Sequence, residues 1–426
     1  MQMNFLDFLV AAQKFGVRLG IASICSAHPL VLEAALRHGL AHRWPVLIEA
    51  TCNQVNQFGG YTGMTPADFA RQVKELAARV GFPQDRLILG GDHLGPLPWA
   101  HEPAEAAMQK ASDLVRAFVR AGFAKIHLDC SMPLGGETAL SVEAIAQRVA
   151  RLAQVAEEAA GERRGVLRYV IGSEVPPAGG ARAGEGPPSV TRPEDAAEAV
   201  EATHRAFRAL GLEEAWERVI ALVVQPGVEF GDEAIHEYDR TAAASLVRYI
   251  EGVPGLVYEA HSTDYQPLSA LRAMVEDHFA ILKVGPALTF ALREAVFALA
   301  DIEAALGLAP PSEIRQTFEG AMLSNPVHWQ KYYRGDPRSQ KLARQYSLSD
   351  RIRYYWTAPE VQAAFSRLMH NLDDRPIPLG LLSQYMPEES RKVRAGELKN
   401  HPYDLLLGKM IGVLENYRLA TQGELG

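Results

Sequence analysis

The chain has 426 residues, 48% of them hydrophobic and 22% charged, with a formal net charge of −8. That is ordinary globular composition, and its acidic balance excludes a general affinity for nucleic acid or an anionic membrane surface. The three cysteines, Cys25, Cys52 and Cys130, lie in separate segments. So sparse and odd a set is neither a disulfide framework nor a thiolate zinc site, and it suits a reducing cytosol. The first stretch, MQMNFLDFLVAAQKFGVRLG, carries Asp7 and has no basic run before its apolar part, unlike a signal peptide. No apolar run is long enough to span a bilayer, so a cytoplasmic protein is expected.

Along the chain, short apolar, β-branched runs alternate with Ala-rich amphipathic stretches. The runs are VRLGIASI (17–24), PVLIEAT (45–51), RLILGG (86–91), AKIHLD (124–129), LRYVIGSE (167–174), RVIALVVQ (218–225), LVYEA (256–260) and FAILKVG (279–285). Thr65-Pro66 places a capping hydroxyl before a proline suited to a first helical turn, and the TRPE of Thr191 to Glu194 reads as a capping box. Eight such units predict a (β/α)8 TIM barrel over residues 1–306. An open doubly wound sheet is the weaker reading, because no G-x-G-x-x-G follows the first run. GLAPPSE (307–313) then breaks the rhythm. Residues 307–426 are expected to form a mostly helical extension packed on the barrel. Within it, VHWQKYYRGDPRSQKLARQYSLSDRIRYYW (327–356) interleaves bases with aromatics. In so acidic a chain that pattern reads as an interface or a cover over the site rather than a nucleic-acid surface.

Chemistry in such a barrel sits at the C-terminal ends of the strands. The second run ends in Glu49 and leads to Asn53, and the third ends in Asp92-His93. The fourth ends in Asp129 with Ser131, and the fifth in Ser173-Glu174. Gln225 and Glu229 follow the sixth, Glu259, His261, Ser262, Thr263 and Asp264 the seventh, and Lys283 closes the eighth. Ionisable groups at the same end of successive strands would converge on one mouth. Two histidines from different strands suit a divalent metal with an open position, so His93 and His261 are the ligand candidates. Glu229, Gln225 or Glu174 supplies the third ligand. Asp92, beside a ligand, would move a proton while the metal acts as a Lewis acid. Asp129 and Glu174 are the other catalytic candidates. His127, alternating with Asp129 on its strand, is expected to face the helices, and His28 to begin the helix after the first strand. Ser262, Thr263 and Lys283 occupy the usual phosphate corner of barrels; Gly179-Gly180 is a weaker cradle, and Asn53 and Ser131 are further substrate contacts.

Long motifs in this sequence are also similar to those of a known family. ATCNQVNQFGGYTGM (50–64), GGDHLGPLPW (90–99), HLDCSMP (127–133), GSEVPPAGG (172–180), EAHSTDYQ (259–266), LKVGPALTFALRE (282–294), SNPVHWQKYY (324–333) and LSQYMP (382–387) resemble the subunit of class II tagatose-bisphosphate aldolase usually called non-catalytic. Some relatives of that family are tagatose-6-phosphate 4-epimerases. The family has also been described as a tagatose-6-phosphate kinase, but no P-loop or kinase glycine pattern is present. Through its kinship with zinc-dependent class II aldolases, the resemblance implies Asp92 as the base, His93 as the first ligand and His261 as another. It aligns Glu174 with the glutamate before a Gly-Gly pair. The aldolases' middle histidine, after the sixth strand, has no counterpart: VVQPGVEFG stands there, with Gln225 and Glu229, which leaves Zn²⁺, Mn²⁺ and Mg²⁺ all open.

The implied activity is a metal-dependent conversion of D-tagatose 6-phosphate to D-fructose 6-phosphate by retro-aldol cleavage and re-closure. The alternatives are an accessory subunit that stabilises a separate catalytic aldolase chain, and an epimerase of an unphosphorylated ketose or uronate. Homo-oligomerisation is expected on fold analogy alone.

Overall fold

The computed structural model describes residues 4–172, 188–374 and 376–422. Eight parallel strands close into a barrel in the order β1-β10-β9-β6-β5-β4-β3-β2. They are β1 (Ile21–Cys25), β2 (Val46–Thr51), β3 (Leu87–Leu94), β4 (Lys125–Leu128), β5 (Arg168–Ile171), β6 (Val219–Val224), β9 (Val257–Ala260) and β10 (Phe279–Val284), while β7 (Glu229–Phe230) and β8 (Ile235–His236) form a small antiparallel pair after β6. The predicted barrel is therefore the observed one.

Two local expectations are corrected. The first strand begins at Ile21 rather than Val17, because the Gly20 N–H donates instead to the carbonyl of Thr421 at 2.8 Å. The helix Pro193–Ala209 starts at Arg192 with no side-chain cap. The Thr191 hydroxyl is engaged elsewhere, accepting from the Gln225 N–H at 2.9 Å. By contrast, Thr65 opens Pro66–Val80 as a full capping box with Asp68, and His28 caps Pro29–Ala41 by accepting from the Leu30 N–H.

Period-two alternation divides each strand between the helices and the barrel interior. Ile48, Ile126, Leu128, Tyr258, Leu282 and Val284 join the large core under the helices. Towards the N-terminal end of the barrel, Leu47, Val170, Ile220, Val223, Val257 and Ile281 form a separate apolar cluster with Leu6, Leu9 and Val10 of the helix Phe5–Lys14. That helix plugs the bottom of the barrel, and an ion pair between Asp7 and Arg168 pins it.

Beyond residue 307 come the helices Ile314–Ser324, Pro337–Tyr346, Pro359–Asp373, Leu379–Tyr385, Pro387–Arg394 and Pro402–Thr421, with a 3-10 segment at Arg351–Tyr355. The final helix packs against Pro29–Ala41, Leu268–Glu276 and Pro286–Ala305. Its Tyr417 hydroxyl donates to the Thr263 carbonyl at 2.8 Å, which ties the extension to the loop after β9. Among the described residues, no helix is long and apolar enough to cross a membrane.

Candidate active site

Adjacent residues on a strand normally point to opposite faces, yet Asp92 and His93 both line one cavity at the barrel mouth. The pleat is broken there. His93 adopts φ 48°, in the left-handed region that side chains seldom occupy, and the β3–β4 register shifts between Gly91 and Leu94. Flanking glycines permit this path: a Cβ at Gly90 would collide with the Glu49 carboxylate, and one at Gly95 with the Asp129 carbonyl. Ser262, next to His261, also has a positive φ of 54°. Backbone strain of this kind concentrates at functional sites.

Three imidazoles meet behind Asp92. Ring centroids lie 4.8 Å apart for His93 and His261, 5.2 Å for His93 and His127, and 5.2 Å for His127 and His261. Each ring has one nitrogen held by a carboxylate. His93 Nδ1 is 2.9 Å from Asp129 Oδ2, His127 Nδ1 is 2.8 Å from Asp92 Oδ1, and His261 Nε2 is 3.1 Å from Glu259 Oε1. Ser131 in turn holds Asp129, its N–H and hydroxyl donating to Oδ1 at 3.0 and 2.7 Å. The other nitrogens of His127 and His261, Nε2 and Nδ1, are buried without a hydrogen-bond partner.

A carboxylate that fixes one imidazole nitrogen and leaves the other bare is the usual support of a metal-bound histidine. Ligand atoms of Asp92, His127, Glu259 and His261 lie within 4.8 Å of one another. Orphaned buried nitrogens beside carboxylates fit a divalent cation. His93 stands beside this group of four, with its Nε2 3.6 Å from Asp92 Oδ2.

Beneath lies a layer of charge with no exposure to solvent. Lys125 Nζ sits 2.6 Å from both Glu49 Oε1 and Glu259 Oε2, and all three side chains are fully buried. Lys283 from β10 pairs with Asp92. Burial alone would raise the Asp92 pKa, but the neighbouring His93 and Lys283 and the hydrogen bond from His127 outweigh it and hold the carboxyl well below its ordinary value. Burial and the charge of Lys283 depress His261 to about 3, so its imidazole is neutral at neutral pH. Burial pushes the Cys25 thiol up, and it lines the cavity as a thiol rather than a thiolate.

The cavity has a volume of about 520 Å³. One wall is the barrel mouth, with Thr51, Asn53, Asp92, His93, His261, Ser262 and Lys283; the other is the C-terminal extension, with Arg353, Tyr354, Trp356, Thr357 and Gln362. The base- and aromatic-rich segment thus covers the mouth.

Several expected site residues are placed elsewhere. A third imidazole stands beside His93 and His261: it is His127 of β4, where Glu229, Gln225 or Glu174 was expected to complete the set. His127 points into the barrel rather than towards the helices, because it shares parity with Lys125 and Asp129 while Ile126 and Leu128 face outwards. Gln225 Oε1 accepts from the N–H groups of Gly227 and Val228, and Glu229 Oε1 accepts from the Phe230 N–H; among the described residues Glu229 is not one of the four clustered donors. Thr263 is fully buried and donates to the Lys283 carbonyl at 2.6 Å. Glu174, Gly179 and Gly180 lie outside the described residues. Sequence reasoning missed Lys125 and Arg353. The signal for Lys125 was a cation inside a β-branched run; Arg353 had none beyond its basic, aromatic surroundings.

Residues 6–422 match the model of the GatZ/KbaZ-like D-tagatose-1,6-bisphosphate aldolase subunit family. The chain belongs to that family. A crystal structure from Sinorhizobium meliloti 1021, described as a probable tagatose 6-phosphate kinase, is 48% identical, with 94% of this chain and all of that one aligned at a TM-score of 0.87. A fructose-bisphosphate aldolase from Campylobacter jejuni matches at 15% identity and a TM-score of 0.44, over 86% of this GatZ/KbaZ-like chain and 90% of the aldolase.

Proposed function

We propose that this GatZ/KbaZ-like protein is a metal-dependent ketohexose-phosphate 4-epimerase, converting D-tagatose 6-phosphate to D-fructose 6-phosphate. The observation that carries the reading is the set of three converging histidines, each braced by its own carboxylate and two with a bare buried nitrogen. The alternative reading, an accessory subunit that stabilises a separate aldolase chain, is equally consistent with the family, and the turnover experiment below separates the two.

The C4 hydrogen is not adjacent to the C2 carbonyl, so inversion at C4 cannot proceed by simple proton abstraction. Retro-aldol chemistry solves this. The C4 hydroxyl gives its proton to Asp92, ionised and facing the cavity. The C3–C4 bond breaks, its electron pair staying with C3, and C4 becomes an aldehyde. Rotation about C4–C5 presents the other carbonyl face; the bond re-forms, and the proton returns to the C4 oxygen. His127 and His261, through the nitrogens their carboxylates leave bare and with His93 beside them, would hold a divalent cation, which when bound supplies Lewis-acid stabilisation of the negative charge on the three-carbon fragment and leaves Asp92 to take the proton. Lys283 neutralises Asp92 in the resting site and is placed to donate to a substrate oxygen as that pair opens. Asp129 and Ser131 act through His93, as positioning residues.

Turnover of tagatose 6-phosphate by the protein alone tests the reading, with chelator and then with Mn²⁺, Zn²⁺ or Mg²⁺ restored. Metal-dependent appearance of fructose 6-phosphate is expected. Asp92→Asn should lower kcat by about 10²- to 10⁴-fold, the usual contribution of a positioned proton acceptor. A folded protein silent under every metal would sink the proposal in favour of the accessory subunit. Co-purification with a separate aldolase chain, and stabilisation of it, would then be decisive.

A further inference from the structure

The seat where barrels commonly bind phosphate is already taken. Asp264 Oδ1 accepts from the N–H groups of Gly285 and Ala287, at 3.0 and 2.7 Å, at the start of the helix Pro286–Ala305. The protein's own carboxylate thus fills the anion position at that helix N-terminus. Of the neighbouring residues expected to serve a phosphate, Thr263 is bonded to the Lys283 carbonyl and Lys283 is paired with Asp92.

Across the cavity, Arg353 presents a cation with no such commitment. Its side chain lines the cavity. One Nη donates to the carbonyls of Ser349 and Asp350, and the other to the Tyr354 hydroxyl at 3.0 Å. These neutral acceptors orient the guanidinium without neutralising it. In the same extension Arg344 is paired with Glu319, and Arg293, packed beneath it, with Asp350. Among the described residues, no ion pair joins Arg353 to a carboxylate. Asp350 and, across the cavity, Asp264 act on it from a distance, but neither carboxylate is hydrogen-bonded to it. A partly buried guanidinium that faces a cavity and is bonded only to neutral acceptors can take an anion on its planar fork in a bidentate manner.

We propose that Arg353, carried over the barrel mouth by the C-terminal extension, grips the anionic group at the far end of the bound sugar, at carbon 6 of a ketohexose. This rests on the epimerase reading only for the choice of sugar. The grip would explain why an aldolase-type cleavage ends in epimerisation: with C6 held, the aldehyde fragment can rotate about C4–C5 but cannot leave.

Binding in the presence of chelator, measured by calorimetry, tests this without relying on turnover. The probes are fructose 6-phosphate, fructuronate and free fructose, which separate a phosphate from a carboxylate as the anion held. The wild-type protein should bind one or both anions about ten- to a hundredfold more tightly than fructose, the range for hydrogen bonds to a charged group. Arg353→Met should erase that preference and leave fructose binding unchanged; the anion that loses more affinity is the one held. Arg353→Lys, which keeps the charge but not the fork, should weaken it by a smaller factor, and it decides the matter if the Met variant is unfolded by circular dichroism. No preference for either anion in the wild type, or full preference retained in the variants, overturns the inference. An absence of turnover alongside the expected binding pattern would instead remove the epimerase reading and leave the grip standing.

Discussion

The two halves of the barrel interior are built on opposite principles. The lower half is dry and apolar, with Leu47, Val170, Val223, Val257 and Ile281 sealed by the N-terminal helix. Higher in the barrel stand Glu49, Lys125, Glu259 and Lys283, with Asp92, His127 and His261 towards the mouth, all of them buried. Bare, such groups would cost several kcal/mol each to bury, so every charge there has an opposite neighbour. The lower half stabilises the fold through area removed from water. The upper half is tolerated because it is mutually neutralised, and that balance is what a chemical site can draw on.

Variants in each half should behave differently. Lys125→Met strips the counter-charge from Glu49 and Glu259 and should cost about 3–5 kcal/mol in urea unfolding, because it leaves buried carboxylates unpaired. It should also weaken metal binding, since Glu259 braces His261. Loss of less than about 1 kcal/mol would break the contrast. Restoring Mn²⁺ or Zn²⁺ to chelated protein should raise stability by about 2.7 kcal/mol at a hundredfold excess over Kd, read as a rise in Tm. His127→Ala should abolish that rise, whereas an Ile281→Val protein should keep it.

A pH series sharpens the upper half further. Burial raises the Asp264 carboxyl to about 6 from its ordinary 3.8. Between those values the folded chain binds the extra proton, so this group's contribution to stability falls as pH rises through the window. Asp264→Asn carries no such proton. The stability difference between variant and wild type should therefore drift by about 3 kcal/mol in the variant's favour between about pH 4 and pH 7, in chelator. A flat difference would remove Asp264 from the titrating set. The smallest effect belongs to the lower half: Ile281→Val should cost about 0.5–1.5 kcal/mol and leave KM unchanged.

The barrel was legible in the sequence because strands buried on both faces must be continuous apolar runs, and these stood out at regular spacing. Asp92, His93 and His261 could be found because each ends a run. His127 was misdirected although the information was present: its parity with Lys125 and Asp129 places all three inside, once a lysine within a strand is read as an interior charge. Glu229 and Gln225 stand where a ligand was expected, and one side-chain oxygen of each accepts from backbone N–H groups of the segment after β6. Arg353 was out of reach for another reason. It sits in a short 3-10 segment whose position depends on how the extension folds back across the mouth, a long-range arrangement that no local pattern encodes.

That folding-back has a consequence for the order of assembly. The Tyr417–Thr263 bond joins partners 154 residues apart, and the cavity's second wall is drawn from residues 353–362. A growing chain completes all eight strands by Val284, yet the second wall of its cavity comes only with residues 353–362. Such distant contacts form late because the intervening loop must be closed before they are rewarded. Mouth and roof are thus written in separate stretches of the chain, and substrate is enclosed only where the segment around Arg353 lies back across strands that precede it by many residues.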